Sequence, residues 1–377
     1  MDRVKKILGS LAAEDNLRML RTASGGGRFV EYGGRQYVNM SSNDYLGLGG
    51  DVELQRRFLE RAAAEDRFLM SNTASRLITG NSADYDELES AVASFYGGKS
   101  TLVLGSGYLA NAGILPAVTS KGDLVLADKL VHASLIDGLR LCECEWRRFN
   151  HNDMDHLESL LRKNRDGYDN VWVVTESVFS MDGDRAPLQT LVELKHRYNL
   201  KLYVDEAHAF GVYGAAGAGC AEAAGLDREV DIIMATFGKA VASYGAFAAV
   251  DPDVRELLVN RMRTLIFATA LPPVVLQWTK MVLELMPSFA DKRERLAKLV
   301  ARIAPGDPGA THIIPVMAYG NAEAQAMAER FRAEGFWVTP IRYPTVPRGK
   351  ARVRLSLSAA LEEGDADKFT SVWKSIG

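Results

Sequence analysis

Cysteine is scarce in this chain: three residues, Cys142, Cys144 and Cys220, occur among 377. So few, and an odd number, exclude a disulfide framework and fit a reducing compartment. Cys142 and Cys144 stand one residue apart, a spacing that matches no zinc motif, so a structural role is the better account of them. Long apolar runs are missing too. None approaches the roughly 20 residues that span a bilayer, and the opening MDRVKKILGSLAAEDN meets acids too soon for a secretory signal. The expectation is a cytoplasmic protein with no membrane partner. Nor is there an excess of positive charge: 45 Lys and Arg are scattered among 48 Asp and Glu, giving a formal charge of -3 and no footprint for nucleic acid. Internal repeats and low-complexity tracts are absent.

What is present is ordinary globular material, 47% hydrophobic and 25% charged, enough for a large core in two or three domains. The grammar is alternating strand and helix. Short apolar runs closed by small or polar residues occur at TLVLGSG (101–107), DLVLAD (123–128), NVWVVTES (170–177), LKLYVDEAH (200–208), DIIMATFG (231–238) and GAFAAV (245–250). They read as buried strands of a mostly parallel sheet. Amphipathic stretches such as LQTLVELKHRYN (188–199) lie between them, which predicts a doubly wound α/β layer with ligands at the strand ends. Ahead of it, residues 1–45 read as an arm: a helix, an SGGGR loop and a hairpin around the Gly-Gly of EYGGRQYVNM. A large domain over 46–275 and a smaller α/β unit over 276–377, entered by a long helical stretch and marked by APGDPG, complete the expected organisation.

The sharpest chemical signal is a pair. Lys239 in TFGKA follows a small-residue turn about thirty residues after YVDEAHAFG, in which Asp205 ends a buried strand. A carboxylate pushed to the sheet's carboxyl edge is costly unless it finds a cation. A protonated pyridine nitrogen is such a cation, and a lysine amine supplies a Schiff base, so the pair suits pyridoxal phosphate. Without Lys239, Asp205 would read as a strand-end cap. His132 in DKLVHASL and His208 in DEAHAFG fall at strand ends, where an imidazole can stack on a cofactor ring or bond to its substituents.

Rival readings attach to the same residues. GSGYLA (105–110) imitates the dinucleotide fingerprint, with Asp123 or Asp128 about twenty residues on, and would make a nicotinamide dehydrogenase. Read physically, it offers backbone amides at a helix start to a phosphate, and it stands late in the chain. His132, His208, Asp205 and Glu206 could gather a metal, though no HExxH or facial-triad spacing supports one, and none is expected. Asp182 and Asp184 in MDGD suit a tight turn better than a calcium loop. Thr236 and Lys239 mimic an SxxK pair without its companion elements. Arg342, in a Pro-rich stretch, reads equally as a carboxylate clamp or a surface arginine.

At NDYLGL (43–48), SGYLAN (106–111), DKLVHASLIDG (128–138), ESVFSMDGDRAPL (176–188), VDEAHAFGVYG (204–214), TFGKA and RYPTVPRGKARVRLSLSA (342–359) the chain resembles the α-oxoamine synthases, in order along nearly its whole length. The resemblance implies the aspartate aminotransferase type of fold, with a mostly parallel seven-stranded sheet in the large domain and a smaller C-terminal domain. It implies pyridoxal phosphate as cofactor and condensation of an amino acid with an acyl-CoA, with loss of carbon dioxide and CoA. The TFGK motif, the PTVP sequence and the short ends fit a member that takes L-alanine and a pimeloyl thioester, on CoA or acyl carrier protein. A member that joins glycine to acetyl-CoA is the alternative, and an inactive partner subunit, against which Lys239 counts, is a third reading.

Residue by residue, the resemblance implies that Lys239 holds the cofactor and moves protons, that Asp205 pairs with the pyridine nitrogen and that His132 stacks over the ring. Ser180 and His208 would lie on its phenolic oxygen side, with Thr236, Ser106, Gly107 and Tyr108 toward the phosphate. Thr269 in FATALPP would reach the phosphate of a neighbouring subunit, which predicts a homodimer with shared sites. Arg342 would hold the amino acid carboxylate, Arg18 would lie near the acyl chain with Arg21 as the weaker match, and Asn43, Ser75 and Thr345 would complete the substrate side. One stretch departs from the pattern: SNTASRLITGN (71–81) keeps Ser75 and Arg76 where the family has a glycine-rich run. Glycines of that kind permit positive backbone angles and close approach of a ligand, so the acyl entrance is expected to differ.

Overall fold

A computed structural model describes residues 2–65 and 68–376. In chain order the strands are β1 (Phe29–Tyr32), β2 (Arg35–Asn39), β3 (Ser100–Leu104), β4 (Leu124–Asp128), β5 (Glu145–Phe149), β6 (Val171–Glu176), β7 (Lys201–Asp205), β8 (Ile232–Thr236), β9 (Ala246–Val250), β10 (Ile313–Tyr319), β11 (Phe336–Trp337), β12 (Thr339–Ile341) and β13 (Ala351–Ser356). They fall into two units: Met1–Asp51, Ser180–Asp184 and Asp291–Gly377 form the smaller, and Val52–Phe179 with Arg185–Ala290 the larger.

The larger unit is built on a seven-stranded sheet in the order β3-β9-β8-β7-β6-β4-β5. β5, β4, β6, β7 and β8 are parallel to one another, whereas β9 runs against both β8 and β3. β4, β6 and β9 are buried at every position, which is why their sequences are apolar runs rather than alternations. β5, EWRRF, is the exception: an edge strand with two exposed residues, whose charges hide it from a search for apolar runs. The helix Leu188–Tyr198 turns Leu188, Leu191, Val192 and Leu194 into the core and ends on Asn199 in the left-handed conformation. Phe237, Phe247 and Phe210 pack in a chain of rings with centroids 5.4 and 4.9 Å apart; burying each contributes about 1.5–3 kcal/mol.

Because β3 runs with β8, the carboxyl ends of β3, β4, β6, β7 and β8 share one edge. Next along the chain from these ends come Ser106, His132, Ser177, His208 and Lys239.

The 71–81 stretch has its own local logic. Residues Arg76–Gly80 form a π-helical turn. Arg76 donates to Glu89 at 2.7 Å and to the Val103 carbonyl at 2.9 Å, and its guanidinium lies 3.9 Å from the centre of the Tyr85 ring. Glycine is retained at Gly80, where a side chain would lie 2.5 Å from the Ala74 carbonyl oxygen. Ser75 makes an isolated antiparallel bridge with Thr269.

In the smaller unit, β1 and β2 form an antiparallel hairpin whose Gly33 and Gly34 have φ of +60° and +74°, the conformation a tight hairpin turn demands. β11 joins β2 in parallel, and β10, β13 and β12 make an antiparallel sheet. The 180–184 turn is tied here: Thr311 donates to the Gly183 carbonyl at 2.6 Å, and Arg352 bonds the Met181 carbonyl at 3.1 Å and Asp182 at 2.5 Å. Phe331, Phe336 and Phe369 pack together, the first and last stacked at 4.8 Å. Among the described residues no helix is long and apolar enough to cross a membrane.

Candidate active site

The larger unit gathers its polar side chains where β7 ends. The Asp205 carboxylate is 4% exposed, and the donors that meet it are neutral: the Ala207 amide at 2.8 Å and the Asn111 side-chain amide at 2.8 Å. It makes no ion pair with a described residue, so this buried carboxylate lacks the cation that its position calls for. Three residues further on, His208 Nε2 lies 2.7 Å from Lys239 Nζ.

His132 caps the helix Ala133–Leu141. Its Nδ1 lies 2.7 Å from the Ser134 hydroxyl, and burial pulls its pKa below the ordinary value while the Asp205 charge works in the opposite direction. The helix Gly107–Val118 begins with Ser106, whose hydroxyl accepts from the Leu109 amide at 3.2 Å. The backbone amides of Gly107 and Tyr108 meet no acceptor among the described residues. A Cβ on Gly107 would lie 3.6 Å from Thr236, so helix start and strand end adjoin; Thr236 itself donates to the Gly245 carbonyl at 2.9 Å. Tyr108 is half exposed and donates to Asp137 at 2.5 Å.

These features fit pyridoxal phosphate. They supply an amine, a buried carboxylate without a cation, an imidazole neighbouring both charges, and two unengaged amides at a helix start that can receive a phosphate.

Of the remaining residues that the sequence points to, Ser75 and Thr269 pair with each other in the larger unit, and the others lie in the smaller unit in two groups. Arg18 donates to Thr345 at 3.0 Å and Arg342 to the Asp15 carbonyl, in a cavity of about 650 Å³ that Arg21 and Arg332 also line. Burial, with Arg18 and Arg21 close by, pulls the Arg342 guanidinium below its ordinary pKa. Asn43 and Ser180 belong to the second group, around Arg354, which the sequence reading passed over within ARVRL. Arg354 is buried and donates from Nε to the Ser180 carbonyl at 2.6 Å, and from Nη1 to Asn43 at 3.2 Å and Ser356 at 2.6 Å; its Nη2 has no partner among the described residues. Asn111, Ser134 and Tyr203 were also missed. All three stand inside stretches that the sequence offers, but nothing local says that they are linked to Asp205.

Among the described residues no three His, Cys, Asp or Glu are grouped to hold a metal.

A seven-stranded, mostly parallel sheet with this edge defines a fold type I pyridoxal phosphate enzyme. Residues 35–372 match the family model of class I and II aminotransferases, and the chain belongs to that family. Within it the chain is an α-oxoamine synthase, a pyridoxal phosphate-dependent acyltransferase that uses an amino acid and an acyl donor. It is 47% identical to the 8-amino-7-oxononanoate synthase of Chlorobaculum parvum over 97% of this chain and 96% of that one. It is 44% identical to a putative 8-amino-7-oxononanoate synthase of Haemophilus influenzae over 98% and 100% of the two chains. Of solved structures, a serine palmitoyltransferase from S. paucimobilis superposes with a TM-score of 0.92 at 26% identity, covering 100% of this chain and 98% of that one. The 8-amino-7-oxononanoate synthase of Francisella tularensis gives 0.74 at 25% identity, covering 90% and 96%.

Proposed function

We propose that the protein condenses L-alanine with a pimeloyl thioester to form 8-amino-7-oxononanoate, releasing carbon dioxide and the thiol carrier, as a cytoplasmic step of biotin biosynthesis. The observation that carries this reading is 47% identity to a synthase of that name over nearly the whole of both chains. The sheet edge supplies the matching chemical groups.

When bound, the cofactor withdraws electrons from the amino acid's α-carbon. Lys239 would hold it through Nζ, and the same amine would serve as the base for the α-proton. His208, 2.7 Å away, accepts a hydrogen bond from Nζ and keeps the amine near one position. Asp205 would accept from the ring N–H, which would supply its missing cation, and His132 would pack on the ring. Gly107 and Tyr108 would offer backbone amides to the phosphate, helped by Ser106 and Thr236, and Ser180 would serve the phenolic oxygen side.

For the amino acid carboxylate, Arg354 is a better candidate than Arg342. Three of its bonds hold the guanidinium still and leave Nη2 to donate. The Arg18, Arg342 and Thr345 group, with its further arginines, suits the acyl donor's anionic groups. The pairing of Ser75 with Thr269, and exposed apolar side chains at Leu69, Met70, Leu77, Ile78 and Phe267, support a homodimer with shared sites.

The test is CoA release by the cofactor-loaded protein from pimeloyl-CoA with L-alanine, run beside acetyl-CoA with glycine. Release in the first pair alone is expected. Release in the second pair alone would keep the cofactor and site but move the enzyme to glycine acylation.

A further inference from the structure

One side-chain amide stands between the carboxylate and the imidazole of the site, and its bonds leave little freedom in where the protons sit. Asn111, 2% exposed, is surrounded by Asp205, Ser134 and Tyr203, themselves 4%, 0% and 0% exposed. Its Nδ2 donates to Asp205 Oδ2 at 2.8 Å and to Ser134 Oγ at 3.0 Å, while its Oδ1 accepts from the Tyr203 hydroxyl at 2.6 Å. A carboxylate only accepts, so the contact with Asp205 fixes which way round the amide lies. Both Nδ2 protons are then used, and Ser134 Oγ is an acceptor on that side. The serine's own proton is left for its other neighbour, His132 Nδ1, at 2.7 Å. The Ser134 backbone N–H points to the same nitrogen from 3.3 Å. With two donors aimed at Nδ1, the imidazole proton belongs on Nε2.

The packing is arranged for this. Tyr203 and Asp205 alternate on β7, so both reach Asn111 from one face. The helices Gly107–Val118 and Ala133–Leu141 approach closely at Gly138, where any side chain would run into the Asn111 carbonyl oxygen. That closeness delivers Ser134 to Asn111.

We infer that Asn111 is a positioning residue that ties two groups of the site together: one amide holds the carboxylate of Asp205 and, through Ser134, sets His132 as its Nε2–H tautomer. Burial, which lowers the His132 pKa, works in the same direction.

The inference rests on the cofactor reading of this edge but not on the identity of the acyl donor. It is tested on the full-length, cofactor-loaded protein labelled with 15N-histidine, by nitrogen shifts of His132 at neutral pH together with release of the cofactor on dilution. The wild-type protein is expected to show a single Nε2–H species. Ser134→Ala should give a mixture of tautomers with cofactor retention unchanged. Asn111→Ala should disturb the tautomer and also weaken retention about tenfold, as loss of a hydrogen bond to a charged group does. Tyr203→Phe, which removes only the donor to Oδ1, should leave His132 as it was. An Nδ1–H or protonated His132 in the wild-type protein would overturn the inference without any variant. So would an Asn111→Ala protein with wild-type His132 shifts and wild-type cofactor retention. Failure of pimeloyl-CoA turnover with the His132 signal as expected would count against the substrate assignment alone.

Discussion

At the sheet edge of the larger unit, Asp205, Asn111, Ser134 and Tyr203 are bonded to one another out of reach of water. In the cavity of the smaller unit, Arg18, Arg21, Arg332 and Arg342 are gathered with Glu329 as the one carboxylate among the lining residues. The first region bonds its own polar atoms, leaving only the charge of Asp205 uncompensated, and so is preorganised: its geometry exists before any ligand arrives. The second carries surplus positive charge on long side chains, so its arrangement is completed by whatever anion enters. Chemistry belongs to the first kind of region, and recognition of a variable substrate to the second.

The comparison is broken most severely at Lys239. Lys239→Ala removes the base and the covalent link together, and condensation should fall by at least the roughly 10²–10⁴-fold that a general base contributes. Visible spectra should show cofactor bound without its lysine linkage. Full CoA release by this variant would remove Lys239 from the chemistry.

A smaller effect separates the two arginine groups. Arg354→Lys should raise KM for L-alanine about 10–100-fold, the value of a hydrogen bond to a charged group made through Nη2, with KM for the thioester little changed. Arg342→Lys should do the reverse. If both variants moved only the thioester term, Arg354 would not hold the amino acid.

The mildest test concerns stability. Glu206 is fully buried, accepting from the Cys220 amide at 3.0 Å, the Ala221 amide at 2.7 Å and the Ser177 hydroxyl. Burial raises its pKa from 4.5 to about 6, against the pull of those bonds. The folded state therefore holds this proton more tightly than the unfolded chain does. Its contribution is full below about pH 4.5 and is lost as pH rises through about 6. Glu206→Gln should cost about 1–3 kcal/mol at neutral pH by turning an acceptor into a donor against the Ser177 or Cys220 proton. Denaturant titrations from pH 4 to 8 should also lose that slope, and an unchanged slope would assign it to other groups.

How far these regions could be read in the sequence also differs. Six strands of the large sheet stand out as apolar runs because both faces are covered, and Lys239, Asp205, His132 and His208 stand out because each follows such a run. β5 was hidden by its edge position, and the reversed direction of β9 leaves no mark on composition. Asn111 was hidden for a different reason. Its meaning comes from Asp205, 94 positions away, and an asparagine inside a helix declares nothing until the fold chooses its partner. Arg354 was passed over because alternating arginines on a strand look alike, and only their partners, Met181 and Asp182 for Arg352 but Ser180, Asn43 and Ser356 for Arg354, tell them apart.

The reversed β9 has a mechanical consequence. Because it starts at the edge where β8 ends, with Thr236 paired to Ala246, the segment carrying Lys239 is a short loop clamped at both feet. Its crown is pinned as well, by the Trp278 indole on the Ala242 carbonyl at 3.0 Å and by Ser243 against Thr279 at 2.6 Å. The reactive amine thus swings on its own side chain, as on a crank whose axle cannot shift. Lengthening the loop by one residue between Thr236 and Lys239 should shift the amine while leaving the side chains on the neighbouring strands and helices in place.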